Sequence, residues 1–202
     1  MKAYKKIVRK YYKNIEVSWT QPVLSDNGTL GGYAFAVASD SAYSSNYAWH
    51  AFAGSYWQSA ISGSVHWLTM YNPEPIKLQE LQWYNNVGSN YHITSGYLQA
   101  SNDNSSWTNI GTVVSDITPQ ALRTVTVDAP DYYKYYRLYI TGWTATTAFM
   151  SRVAMIAVVP SVTEGTEEDY DFYVDKFQPC VVENIQVYKA IKSYERGQYY
   201  GN

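Results

Sequence analysis

A hydrophobic period of two limits what this chain can fold into. "LRTVTVDA" (122–129) and "KYYRLYIT" (134–141) alternate apolar and polar residues cleanly. Successive side chains of a strand point to opposite faces, so this alternation marks half-buried strands. "GYAFAVAS" (32–39), "SVHWLTMY" (64–71), "IKLQELQWYNN" (76–86) and "SGYLQAS" (95–101) read the same way. "NPEP" (72–75) is expected to stop the strand before it, and "NDNSS" to turn the chain after Ser101. "RVAMIAVVP" (152–160) is continuously apolar and reads as a strand covered on both faces. Long runs of helical period are absent. Strands at short, fairly even spacing point to a β-sandwich or jelly roll. Composition agrees: 22 tyrosines, 17% aromatic and 16% charged residues suit an all-β protein with a tyrosine-rich surface.

The natural boundaries fall near Leu30 and Pro160. They divide the chain into an N-terminal arm (1–30), a β-sandwich (31–160) and a C-terminal β extension and tail (161–202). The first arm opens with "MKAYKKIVRKYYK", basic and free of acids, which reads as a solvated or assembly segment. After Pro160, "SVTEGTEEDYD" reads as an acidic solvated loop leaving the sandwich. "FYVD" and "CVVENIQVYKA" then read as closing strands. A formal net charge of −2 gives no general footprint for nucleic acid. Cys180 is the single cysteine, so neither an internal disulfide nor a cysteine zinc site can form. No secretory h-region and no run long enough for membrane insertion is visible, so synthesis as a soluble cytoplasmic chain is expected.

Catalytic motifs are missing. His50, His66 and His92 fall in no zinc-binding spacing, and neither a nucleophile elbow nor a phosphate loop occurs. His66 lies within a strand and reads as structural or surface; His50 and His92 lie near strand ends. Asp40, Glu74, Glu80, Asp103, Asp116, Asp128 and Asp131 sit mostly in turns or beside prolines, a poor supply for a glycosidase pair. A non-enzyme is expected, with no cofactor and no metal. The two N-x-[ST] sequons, at Asn27 and Asn104, read as turn chemistry.

Five segments in consistent order resemble discoidin domains: "AWHAFAGSYWQS", "VHWLTMYNPEPIKLQELQWYNN", "SGYLQASNDNSSWTNI", "YYKYYRLYIT" and "SRVAMIAVV", across residues 32–159. The resemblance implies a galactose-binding-like jelly-roll β-sandwich, the fold of the family 32 carbohydrate-binding modules, which are not enzymes. It implies ligand contact through loops at one end, here 39–50, 86–94 and 142–151. Those loops and their exits offer Tyr47, Trp49, His50, Tyr91, His92, Trp143 and Arg152 as candidate ligand-binding residues, beside Tyr43. A sugar needs a flat aromatic face and a few fixed polar groups. Trp49 or Trp143 would supply the face; His50, His92 and Arg152 would supply polar contacts. Packing or subunit contact is the competing role for each ring. By the same resemblance Trp57, Trp67 and Trp107 go to the core and Arg137 is structural. Many such modules hold calcium at an A-x-D-G turn. Ala53 stands in the Asp position here, and a methyl group cannot ligate, so weak or absent calcium is expected.

"WTQPVLSDNGTLGGYAFAV" and "YKAIKSYERGQYYGN" are similar to the ends of virion-associated phage and prophage proteins. This implies a binding protein for cell-surface carbohydrate, associated with other virion subunits and open to homo-oligomer assembly. The alternatives are a purely structural tail or capsid-decorating subunit, and a carbohydrate-binding module of a glycan-degrading system.

Overall fold

The computed structural model describes residues 7–169, apart from 62, 89 and 129, with side chains from 10 to 166. One compact unit is Ser18–Val159; strand residues before and after it belong to a second unit. The strands are β1 (Ile7–Ser18), β2 (Ala36–Ser39), β3 (Tyr56–Gln58), β4 (His66–Tyr84), β5 (Ile93–Ser101), β6 (Thr108–Thr112), β7 (Leu122–Thr126), β8 (Tyr132–Trp143) and β9 (Phe149–Asp169). A short helix, α1 (Ala48–Phe52), lies between β2 and β3.

The spine of the sandwich is β4. Its first part pairs antiparallel with β2 and β8, from Ala36↔Tyr71 and His66↔Ile140 onward. Its second part pairs with β9 and β7, as in Leu81↔Met155 and Leu81↔Val125. The strand thus serves both layers: β2 pairing stops at Tyr71, β8 pairing resumes past an irregularity between Tyr71 and Ile76 and runs to Lys77, and β9 pairing begins there. Beyond β8 the first layer continues through β5 to β6. The side chain of Tyr136 ties the junction: its hydroxyl donates to the Ile76 carbonyl at 2.6 Å and accepts the Leu78 N–H at 3.2 Å. Burial pushes this phenol's pKa well above its ordinary value.

The inward residues of the two layers meet in one core. Leu68, Met70, Leu78, Leu81, Trp83, Leu98, Leu138, Ile140 and Met150 are fully buried there. Trp19, Leu24 and Trp143 pack against it from the edge. The Trp19 N–H donates to the Ala157 carbonyl at 2.9 Å, and Gln21 bonds Val153 and Met155. The arm expected over residues 1–30 is therefore divided, its part from Ser18 onward belonging to the sandwich unit.

Several local expectations change. "NPEP" does not end a strand; β4 runs through it, because prolines are tolerated where the ladder is already broken by a bulge. The segment 32–39 pairs only from Ala36. The apolar run in β9 is not covered on both faces: Val153, Met155 and Ala157 are buried while Ile156 is 43% exposed. The acidic segment after Pro160 is strand as far as Asp169, paired with β1 rather than looping. Lys10 Nζ lies 2.5 Å from Glu164 there, and that hydrogen bond lowers the Glu164 pKa. Trp67 and Trp107 are half-buried and outside the core. Trp107 instead lies under the Arg137 guanidinium, 4.1 Å from its ring centre, and Arg137 Nε donates to Gln99 Oε1 at 2.6 Å. The closing strands and Cys180 lie outside the described residues.

The "NDNSS" turn is held by one carboxylate. Asp103 Oδ1 accepts the N–H groups of Ser106 and Ser105 and the Ser101 hydroxyl, at 2.7 to 2.8 Å. Those donors, Ser106 first, hold its pKa well below the usual carboxylate range. Asn104, the second sequon asparagine, takes the positive φ of 59° the turn requires.

Candidate functional site

Helix α1 begins after Tyr47, which provides no side-chain cap. The capping acceptor comes from a distant segment: Asn27 Oδ1 accepts the Trp49 N–H at 3.1 Å. The Asn27 carbonyl accepts the Val37 N–H at 2.8 Å, tying the same residue to β2. Asp26 Oδ1 accepts the Gly28 N–H at 2.8 Å, closing an Asx turn. Gly28 has φ +66°, and a Cβ there would sit 2.9 Å from that of Ala36, so only glycine lets the segment lie this close to β2. An open cleft of about 440 Å³ results, lined by Asp26, Asn27, Gly28, Thr29, Tyr47 and Trp49.

Trp49 is half-buried and packs on the core edge. The His50 ring meets it edge-on at 4.0 Å, and Tyr47 lies 6.0 Å from His50. Tyr47 is 48% exposed. Three of the candidate residues are thus brought together, and two of them, Tyr47 and Trp49, line the cleft opposite a polar wall that no motif had nominated. "DNGT" shows only a turn; that it would face Tyr47 and Trp49 depends on packing across the fold.

Tyr91, His92 and Trp143 form another group. The Tyr91 N–H donates to the Thr144 carbonyl, the Thr144 N–H to the His92 carbonyl, and the His92 N–H to Thr144 Oγ1. These bonds, of 2.8 to 3.2 Å, zip the two loops together. Tyr91 and Ala145 take positive φ values of 71° and 60°. His92 is fully buried, with Nε2 2.9 Å from the Gly88 carbonyl, so it presents no surface to a ligand. Half-buried Trp143 packs against fully buried His66, 4.6 Å between rings. His66 Nδ1 is 2.7 Å from Asp40 Oδ2, a contact visible in no sequence motif. His66 is therefore structural rather than surface. Arg152, exposed and at φ 50°, stands apart, its guanidinium 5.7 Å from the Tyr84 ring.

The turn after α1 does not suit calcium. Ala53 has no side-chain oxygen. The His50 carbonyl is already used by the N–H groups of Ala53 and Ser55, and the Ser55 carbonyl by that of Arg152. Among the described residues no group of three or more His, Cys, Asp or Glu is placed to hold a metal.

Similarity to known proteins agrees with the architecture. The chain resembles a Clostridium perfringens module, CpGH89CBM32-5, solved in complex with GalNAc-β-1,3-galactose; the TM-score is 0.55 at 14% identity, covering 60% of this chain and 94% of that one. It resembles the family 32 carbohydrate-binding module of C. perfringens NanJ, solved with galactose, with a TM-score of 0.54, 15% identity, and 61% and 93% of the two chains. The C-terminal domain of a Bacteroides fragilis chitobiase matches with a TM-score of 0.53, 19% identity, and 66% and 98% coverage. No curated protein sequence matches the chain significantly. Residues 34–155 match the F5/8 type C domain. With that match spanning more than half of its length, and the sandwich built as described, the chain belongs to the F5/8 type C domain family.

Proposed function

We propose that this chain is a non-catalytic glycan-binding protein that attaches a phage or prophage particle to bacterial surface carbohydrate. The observation carrying the binding role is the cleft in which exposed Tyr47 and half-buried Trp49 face the polar 26–29 segment. Aromatic faces cover the apolar side of a pyranose, and polar side chains opposite take its hydroxyls. The binding of galactose-containing ligands by similar folds supports the same class of ligand. Support for the particle is the resemblance of residues 19–37 and 188–202 to the ends of virion-associated proteins. On this reading the chain is made in the bacterial cytoplasm and meets glycans as part of the particle. The likeness to a chitobiase C-terminal domain favours a second reading, a module serving a glycan-degrading system.

The full chain on a glycan array, followed by titration calorimetry, tests the binding role. Tyr47→Ala removes a ring that is half in solvent and should leave Tm unchanged while weakening the bound glycan about tenfold. An array with no bound glycan, or unchanged affinity in Tyr47→Ala, overturns binding through this cleft. Mass spectrometry of purified particles separates the readings of context: presence of the chain supports the virion, and absence removes it.

A further inference from the structure

We infer that the 26–29 wall is the selectivity element of the cleft, and that its Asp26 carboxylate makes the site select neutral or amine-bearing sugars over acidic ones. This rests on the cleft being the sugar site proposed above. The wall precedes residues 34–155 and so lies outside the stretch shared with the F5/8 type C family. It is nonetheless firmly built: Asn27 is bonded to both α1 and β2, and Gly28 is pressed against Ala36.

That anchoring consumes only part of the wall's hydrogen-bonding capacity. Asp26 uses Oδ1 on Gly28, and Asn27 uses Oδ1 on Trp49. Among the described residues, Asp26 Oδ2, Asn27 Nδ2 and Thr29 Oγ1 have no hydrogen-bond partner. They comprise an anionic acceptor, a neutral donor and a hydroxyl that serves as either. Asp26 is the single charged side chain among the six lining residues. A carboxylate accepts sugar hydroxyls in short charge-assisted bonds, and an ammonium more strongly still. A uronic or sialic acid would bring a second carboxylate beside it with no lining cation to offset the repulsion.

The experiment uses the full chain and four probes: galactose, galactosamine, galacturonic acid and N-acetylneuraminic acid. Affinities are measured by calorimetry or ligand-observed NMR at low and high salt. The wild type should bind the first two at least about tenfold more tightly than the acids, with the gap narrowing as salt screens it. Asp26→Asn keeps an acceptor for Gly28, so the turn survives; Tm verifies this. In that variant the neutral-to-acidic ratio should fall to within about threefold, and galactosamine should lose its advantage over galactose. If the ratio is unchanged in Asp26→Asn while Tyr47→Ala still weakens binding, the selectivity inference is overturned and the cleft survives. If none of the probes binds while the array shows a bound glycan, the selectivity inference alone is overturned; if Tyr47→Ala has no effect, or the array too is empty, both fall together.

Discussion

Trp57 and Trp67 bring the same side chain into opposite surroundings. Trp57 is fully buried, and its indole N–H donates to the Ser41 carbonyl at 2.9 Å. Trp67 is half-buried on the outer side of β4, while its neighbours His66 and Leu68 point inward. Trp57→Ala should cost about 3–5 kcal/mol by urea unfolding, from lost burial plus the cavity left behind. Trp67→Ala should cost less than about 1.5 kcal/mol. Equal losses would show that the assignment of faces in β4 is wrong. Family likeness sent both rings to the core. What separated them was placement in two different strands: Trp57, in β3, pairs with buried Met150, while in β4 the alternation that turns His66 and Leu68 inward turns Trp67 outward. The candidate site shows the same limit. Tyr47, Trp49 and His50 are close in sequence and stand together, whereas His92 could not be told from an exposed loop histidine until burial placed it inside.

Among the elements, β5 shows how closely backbone packing constrains sequence. A Cβ on Gly96 would lie 2.5 Å from the Tyr139 carbonyl oxygen and 3.1 Å from Ile140 Cα. Both are backbone atoms of the paired strand and cannot swing aside. The register shifts on either side of Ser95 place Gly96 at an irregularity, where glycine admits this approach. Gly96→Ala should therefore destabilise by about 2 kcal/mol or more in urea unfolding, well beyond an ordinary glycine-to-alanine change in a strand. A neutral or stabilising outcome would mean that β5 and β8 are not paired this way. Strand existence was legible from period two, because alternation reports one buried face. Strand ends were less so: residues 64–71 and 76–86 read as separate strands, yet β4 is continuous across "NPEP". Proline ends a strand only when its missing N–H is needed by a partner, and at the β4 irregularity no ladder bond is lost.

For the molecule as a whole, the donor chemistry of the turn after α1 predicts stability independent of calcium. A site of micromolar affinity at thousandfold calcium excess would add about 4 kcal/mol, raising Tm by about 10 °C in a domain this size. Tm should instead be the same in chelator and in millimolar calcium. A rise of several degrees on adding calcium would reverse that reading.

The all-β class, the order of most strands, the family resemblance and the lack of a carboxylate at Ala53 follow from the sequence by itself, since each rests on local alternation or on residue identity. Tertiary structure decided which tryptophans are inside, that residues 18–30 join the sandwich unit, and that Asp26, Asn27 and Thr29 face Tyr47 and Trp49. Those outcomes depend on contacts between segments distant along the chain. Strand pairing and layer packing bring such segments together, and no local pattern encodes which will meet.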